Sequence, residues 1–207
     1  MQPNRRVISS WLEQRTAWAD GLLMVMIMVC MQPWRIHLMY ARHALGVEPW
    51  RWLTGHWVHA NGAHLLLNAV ALLLLPAILP APLRRQWWGW LMLLSILISL
   101  ALFFFHSVLQ NYVGLSGVLH GLYVATAVTA WSERTERRWI GLMLLVILIK
   151  LLVEPHLHDL STEKLIGVSV FFVAHQWGAF FGLILGLLSL CRYNWPILSI
   201  NLSKNGL

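Results

Sequence analysis

Six apolar runs separated by short polar segments limit what this chain can become. They lie at about 18–31, 63–79, 86–105, 116–131, 139–153 and 169–191. About 20 apolar residues cross a bilayer core as a helix, and a helix pairs its own backbone groups where no water can. The expected fold is therefore an all-α polytopic membrane protein, a bundle of six transmembrane helices. Several runs are shorter than an ideal span, which predicts tilt, local thinning, or a helix that begins inside the membrane. Only 11% of the 207 residues are charged, against about a quarter in soluble domains. The expectation is one domain over 1–207, with a helical core at about 18–191 and short terminal tails. The first run begins too far along, and lacks the small-residue cleavage site, for a removable signal peptide. Internal repeats, low-complexity segments and interdomain linkers are not visible.

The net charge of +7 raises the question of nucleic-acid binding. Its distribution argues against it, because the cations stand at the ends of apolar runs instead of along one soluble face. One set holds Arg5, Arg6, Arg15, Arg84, Arg85, Arg134, Arg137, Arg138, Arg192 and Lys204; the opposite set holds Arg35, Arg42, Arg51, Lys150 and Lys164. Ten against five places both termini in the cytoplasm and turns the loops at about 32–62, 107–115 and 154–168 outward. The 13 Trp residues fit interfacial belts or packing positions. Cys30 and Cys191 lie in apolar segments without CxxC spacing, so they are expected to be buried thiols outside any disulfide or metal site.

Polar groups inside membrane spans are costly and mark function by default. Ser116 sits in Gly114-Leu115-Ser116-Gly117 at the start of the fourth run. Flanking glycines permit a tight turn, and free N–H groups at a helix start can hold an oxyanion. A serine here also serves as helix–helix glue. His175 sits mid-span in Ala174-His175-Gln176-Trp177-Gly178. It could be a packing residue, a metal ligand or a base. Gly178, Gly182 and Gly186 recur every four residues on its face, and Gly117 and Gly121 do the same beside Ser116. Two small-residue faces favour close packing, which would bring Ser116 to His175. Depth agrees: Arg134 follows Ser116, and Arg192 follows His175, by roughly 27 and 26 Å of helix. His64 and Asn68 share a face at i and i+4 and could donate to an oxyanion or simply bond between helices. The eight acidic residues all stand at span ends or in loops, so any nucleophile–base pair is a dyad with no carboxylate.

Taken in order, His64–Asn68 as HxxxN, Gly114–Gly117 as GxSG and Ala174–Gly182 as AHxxGxxxG resemble the rhomboid intramembrane proteases. Trp50-Arg51, ahead of His64, matches that family's first loop. The resemblance covers about 18–191 and implies the six-helix fold, Ser116 as nucleophile, His175 as general base, and an oxyanion hole of His64, Asn68 and the Ser116 N–H. Gly114, Gly117 and Gly178 are supporting positions of these motifs, and no cofactor or metal is implied. The compact chain, with Leu53-Thr54-Gly55-His56 and Gly114 to Gly121, is most similar to the rhombosortase branch. That resemblance implies a bacterial inner (cytoplasmic) membrane location. It also implies transmembrane protein substrates bearing a C-terminal Gly-Gly motif, a helix and a basic tail, met among membrane lipids. One position departs from the family: His120 stands where many members carry Tyr. A neutral imidazole could stack there on His175, or a hydrogen bond could tune it.

Other readings compete. A membrane metalloprotein could use His56, His59, His64, His120 or His175, with His156, His158 and Asp159 as a further cluster of ligand types. A catalytically inactive relative could bind or traffic membrane proteins. A small transporter would need two similar halves, which are not visible.

Overall fold

The structure is a computed structural model that describes residues 5–79, 87–131, 137–153, 156 and 162–204. Arg84, Arg85 and Arg134 of the orientation argument, and His158 and Asp159 of the loop cluster, lie outside the described residues, as do Glu133, Glu136 and Glu154.

Among the described residues, the long helices follow the apolar runs in order: α1 (Arg5–Met31), α4 (Gly62–Ile78), α5 (Trp87–Phe105), α6 (Ser116–Ala130), α7 (Arg137–Val153) and α9 (Val173–Lys204). Short helices α2 (Arg35–Leu38) and α3 (Arg51–Thr54) lie in the first loop, and α8 (Thr162–Ile166) precedes α9. Three segments are long and apolar enough to cross a membrane: Arg15–Leu38, Trp87–Phe105 and Val173–Cys191. Gly62–Ile78 and Ser116–Ala130 are shorter apolar helices. The chain is thus a mostly helical membrane protein.

Local chemistry sets several boundaries. Asn61 caps α4, its side chain accepting from the His64 N–H at 2.9 Å. Helix α1 starts earlier than its apolar run, since no Gly or Pro interrupts residues 5–20. Helix α9 starts later than expected, at Val173. The Val170 N–H donates to the Glu163 carboxylate at 2.7 Å, which ties the preceding stretch to α8 instead.

The fold also departs from purely helical. Strand β1 (Tyr40–Ala41) pairs antiparallel with β2 (Asn111–Tyr112), Tyr40 opposite Tyr112, and joins the first loop to the third. Two buried or half-buried arginines hold this cap. Arg51 pairs with Glu48 and donates to the Ile36 and Met39 carbonyls at 3.0 and 2.7 Å. Arg42 donates to the Phe103 carbonyl at 2.7 Å, closing the last turn of α5, and lies over the Phe103 ring.

The core runs along α5 and α6 through Leu91, Leu94, Ile98, Val118 and Leu122. Large apolar side chains such as Leu66, Phe104 and Leu152 point away from it and are exposed, as lipid-facing side chains must be. The same distinction corrects one expectation. Cys30 and Cys191 are both exposed free thiols, not buried ones. In a membrane helix an apolar neighbourhood identifies the segment, while the side facing lipid is as apolar as the interior.

Helices α6 and α9 make the closest contact. A Cβ placed on Gly178 would overlap the Gly117 carbonyl oxygen, and one on Gly182 would overlap that of Gly121. In return, a Cβ on Gly117 would fall 2.8 Å from the Ala174 oxygen, and one on Gly121 2.7 Å from the Gly178 oxygen. Backbone lies on backbone, and no larger residue fits this seam.

Candidate active site

The serine is presented by a turn that needs glycine. Gly114 has φ +118°, a conformation L side chains rarely adopt, and a Cβ there would meet His64 Cε1 at 2.6 Å. Tyr112 Oη donates to the Gly114 carbonyl at 2.9 Å, and the Gly114 N–H donates to the Gly55 carbonyl at 3.1 Å. The edge of the His56 ring packs on Tyr112, centroids 5.2 Å apart. Ser99 gives its one hydroxyl proton to the Trp52 carbonyl at 2.7 Å. Its oxygen must therefore accept from His56 Nε2 at 3.0 Å, which fixes the His56 tautomer. Complete burial lowers the His56 pKa to about 4, so this histidine under the turn is neutral.

The first turn of α6 puts Ser116 opposite His175 across the glycine seam. Ser116 Oγ lies 2.8 Å from His175 Nε2. His175 is buried, with Phe172 edge-on at 5.7 Å. His120, one turn after Ser116, stacks on His175 with centroids 4.3 Å apart and planes within 10°. His120 Nδ1 is 2.7 Å from the Ser116 carbonyl, an oxygen that only accepts, so Nδ1 carries the proton.

His64 and Asn68 are both buried on the inner face of α4. One Asn68 amide hydrogen goes to the His64 carbonyl at 2.9 Å, which leaves the second for another acceptor. His59 braces the His64 ring edge-on at 5.0 Å. The Gln32 amide is anchored on both sides, its oxygen accepting from the His59 N–H and its nitrogen donating to the Met28 carbonyl. Burial, then the neighbouring His64, lower the His59 pKa to about 3.

Two cavities meet at Ser116, His64 and His175. The smaller, about 360 Å³, leads towards the first loop and β2, past Arg35, Met39 and Tyr112. The larger, about 690 Å³, lies between α4 and α7. Leu67, Asn68, Ala71 and Leu74 line one side, Trp139, Leu142, Met143, Val146, Ile147 and Lys150 the other, with Ser116, Leu119, His120 and Tyr123 as its floor. An extended peptide could reach the serine through it, and one oxygen of such a peptide could face the α4 donors.

The structure thus gathers every residue singled out from the motifs: Ser116, His175, His64, Asn68, His120, Gly114, Gly117 and Gly178. It does not gather the histidines as a ligand set, and His56 spends Nε2 on Ser99. Among the described residues no three His, Cys, Asp or Glu side chains lie together in a way that could hold a metal ion. Sequence reasoning passed over Tyr112, which left no motif, and treated Lys150 as a marker of topology only. The stripe Trp139, Leu142 or Met143, Val146 and Lys150 at helical spacing was the available signal.

The Rhomboid domain family matches residues 46–192 of the chain. No curated protein matches it.

Proposed function

This chain belongs to the rhomboid family, a family of intramembrane serine proteases, and on that premise we propose that it cleaves membrane-anchored proteins with Ser116 as nucleophile and His175 as general base. One observation carries the reading: Ser116 Oγ lies 2.8 Å from His175 Nε2, at the floor of a cavity of about 690 Å³. On this reading the Oγ proton passes to Nε2 as Oγ bonds to the scissile carbonyl carbon. The carbonyl oxygen takes up the negative charge, and in this proposal His64, the second Asn68 hydrogen and the Ser116 N–H receive it. Collapse breaks the C–N bond, and the departing amine takes the proton from His175. Water then repeats the sequence on the acyl-enzyme, with His175 again as base.

The same proposal includes six membrane-crossing helices, both termini in the cytoplasm, and residence in a bacterial inner membrane. The positive-inside charge distribution supports the orientation. Its finer part is a rhombosortase role, with substrates anchored by a C-terminal Gly-Gly motif, helix and basic tail. The Leu53–His56 and Gly114–Gly121 segments favour that branch. The test is twofold. A fluorophosphonate probe is expected to label the wild type and not Ser116→Ala, and a single-span substrate with the Gly-Gly anchor is expected to be cut only by the wild type. Full cleavage by Ser116→Ala would overturn the assignment.

A further inference from the structure

We propose that His59 is a positioning residue for the oxyanion hole: held by Gln32, it donates from Nε2 to His64 Nδ1 and so keeps the His64 proton on Nε2, beside the serine turn. This inference rests on the protease reading above.

Backbone groups set the orientation of the Gln32 amide. Its oxygen accepts from the His59 N–H at 3.0 Å and its nitrogen donates to the Met28 carbonyl at 2.9 Å, so the two ends cannot be exchanged. The same amide nitrogen lies 3.3 Å from His59 Nδ1. An amide nitrogen only donates, so Nδ1 accepts and the one proton of the neutral ring sits on Nε2. His59 Nε2 is buried without a hydrogen-bond partner among the described residues, and so is His64 Nδ1. The two rings meet edge to face, centroids 5.0 Å apart and planes at 84°. A small turn of His64 about Cβ–Cγ, a broad torsion, lets the lone pair at Nδ1 meet the His59 N–H. With the proton on His64 Nδ1 instead, two buried donors would stand side by side unpaired, which is the costly arrangement. His64 Nε2 lies against the serine turn, since a Cβ on Gly114 would fall 2.8 Å from it. A developing oxyanion there needs a proton on that nitrogen. An imidazole whose other nitrogen accepts a hydrogen bond has its tautomer fixed before substrate arrives.

The experiment uses the full chain and a single-span reporter that the wild type cuts and Ser116→Ala does not. Two variants are compared: His59→Phe, which keeps a flat ring without an N–H, and His59→Gln, which keeps a donor. Each is made alone and in a His64→Ala background, and kcat and KM are measured. His59→Phe alone is expected to lower kcat by roughly ten- to a hundredfold with KM little changed, within the cost of one oxyanion donor. His59→Gln should recover much of that loss. In the His64→Ala background neither should cost anything further, because the ring they act on is gone. Gln32→Glu tests the same relay from the other end. A carboxylate opposite Nδ1 draws the His59 proton there, which makes Nε2 an acceptor, pulls the His64 proton to Nδ1 and leaves the oxyanion side bare. It should lower kcat when His64 is present and not in His64→Ala. A variant that takes up no fluorophosphonate probe is set aside, and the remaining comparison decides. A His59→Phe variant as fast as the wild type, equal losses for Phe and Gln, or equal losses with and without His64 overturns the inference and leaves the protease reading standing. Absence of any Ser116-dependent cleavage ends the protease reading, and this inference with it.

Discussion

His120 lies flat on His175, ring centroids 4.3 Å apart, while its Nδ1–H holds the carbonyl of Ser116. One imidazole therefore touches both members of the pair, fixing the plane of the ring proposed as the base and the backbone that carries the hydroxyl. A second positive charge beside a protonated His175 would be costly at this depth, so a neutral shelf is the role that fits. His120→Tyr keeps a flat ring and should retain substantial activity. His120→Ala should lose much more. Initial rates and pH–rate profiles on one transmembrane substrate separate the two. A Tyr variant as inactive as Ser116→Ala would give His120 a direct chemical part.

Asn68→Ala should slow cleavage by about 10²–10³ without abolishing it, the usual cost of one oxyanion donor. His64→Ala should cost the same or less, because Asn68 and the Ser116 N–H remain. The fall should appear in kcat more than in KM. A variant with the wild-type initial rate would make that residue structural.

Gly178→Ala should destabilise the fold by about 3 kcal/mol or more, since its methyl would occupy the space of the Gly117 carbonyl oxygen. Gly141→Ala is the contrast: nothing lies within 4 Å of its Cβ position, and the helix gains roughly 0.5–1 kcal/mol from losing a glycine. Thermal unfolding in detergent, with fluorophosphonate labelling as the readout of an intact pair, compares them. Equal melting temperatures would mean that the seam is looser than described.

Stability should fall as the medium is acidified from about pH 6.5 towards pH 4. His56 has its folded pKa lowered by burial to about 4, below the ordinary value of 6.5. The unfolded chain therefore binds a proton in this window that the folded chain does not, and unfolding gains on the way down. The full shift corresponds to about 3 kcal/mol, reached only near pH 4. His59, lowered to about 3, acts in the same direction. His56→Gln keeps a donor for Ser99 without the titration, so its melting temperature should vary less between pH 7 and pH 5. An unchanged slope in that variant would move the effect to another group.

Much of the site was legible because it is written in helical periods. Glycines every fourth residue on α6 and α9 predicted which two helices touch, and His120 at i+4 from Ser116 predicted which ring would lie beside His175. The strands Tyr40–Ala41 and Asn111–Tyr112 were not legible, since two residues have no period to read. Nor was the exposure of Cys30 and Cys191, because hydropathy does not separate a lipid-facing side from a packed one. Lys150 escaped for a related reason: its charge advertised a helix end, while its place in the cavity depends on neighbours from α4, α6 and α8.

Backbone meeting backbone between α6 and α9 has a consequence for how the gene can change length. An inserted or deleted residue turns everything beyond it by about 100° about a helix axis. Between Ser116 and Gly121, or between His175 and Gly182, such a change would swing one glycine out of register and a side chain into its place. Nothing soft lies there to absorb it, so frame-preserving insertions and deletions within these two short stretches should be lethal to activity. The same events in the connection after Ala130 leave both glycine faces intact and should be tolerated.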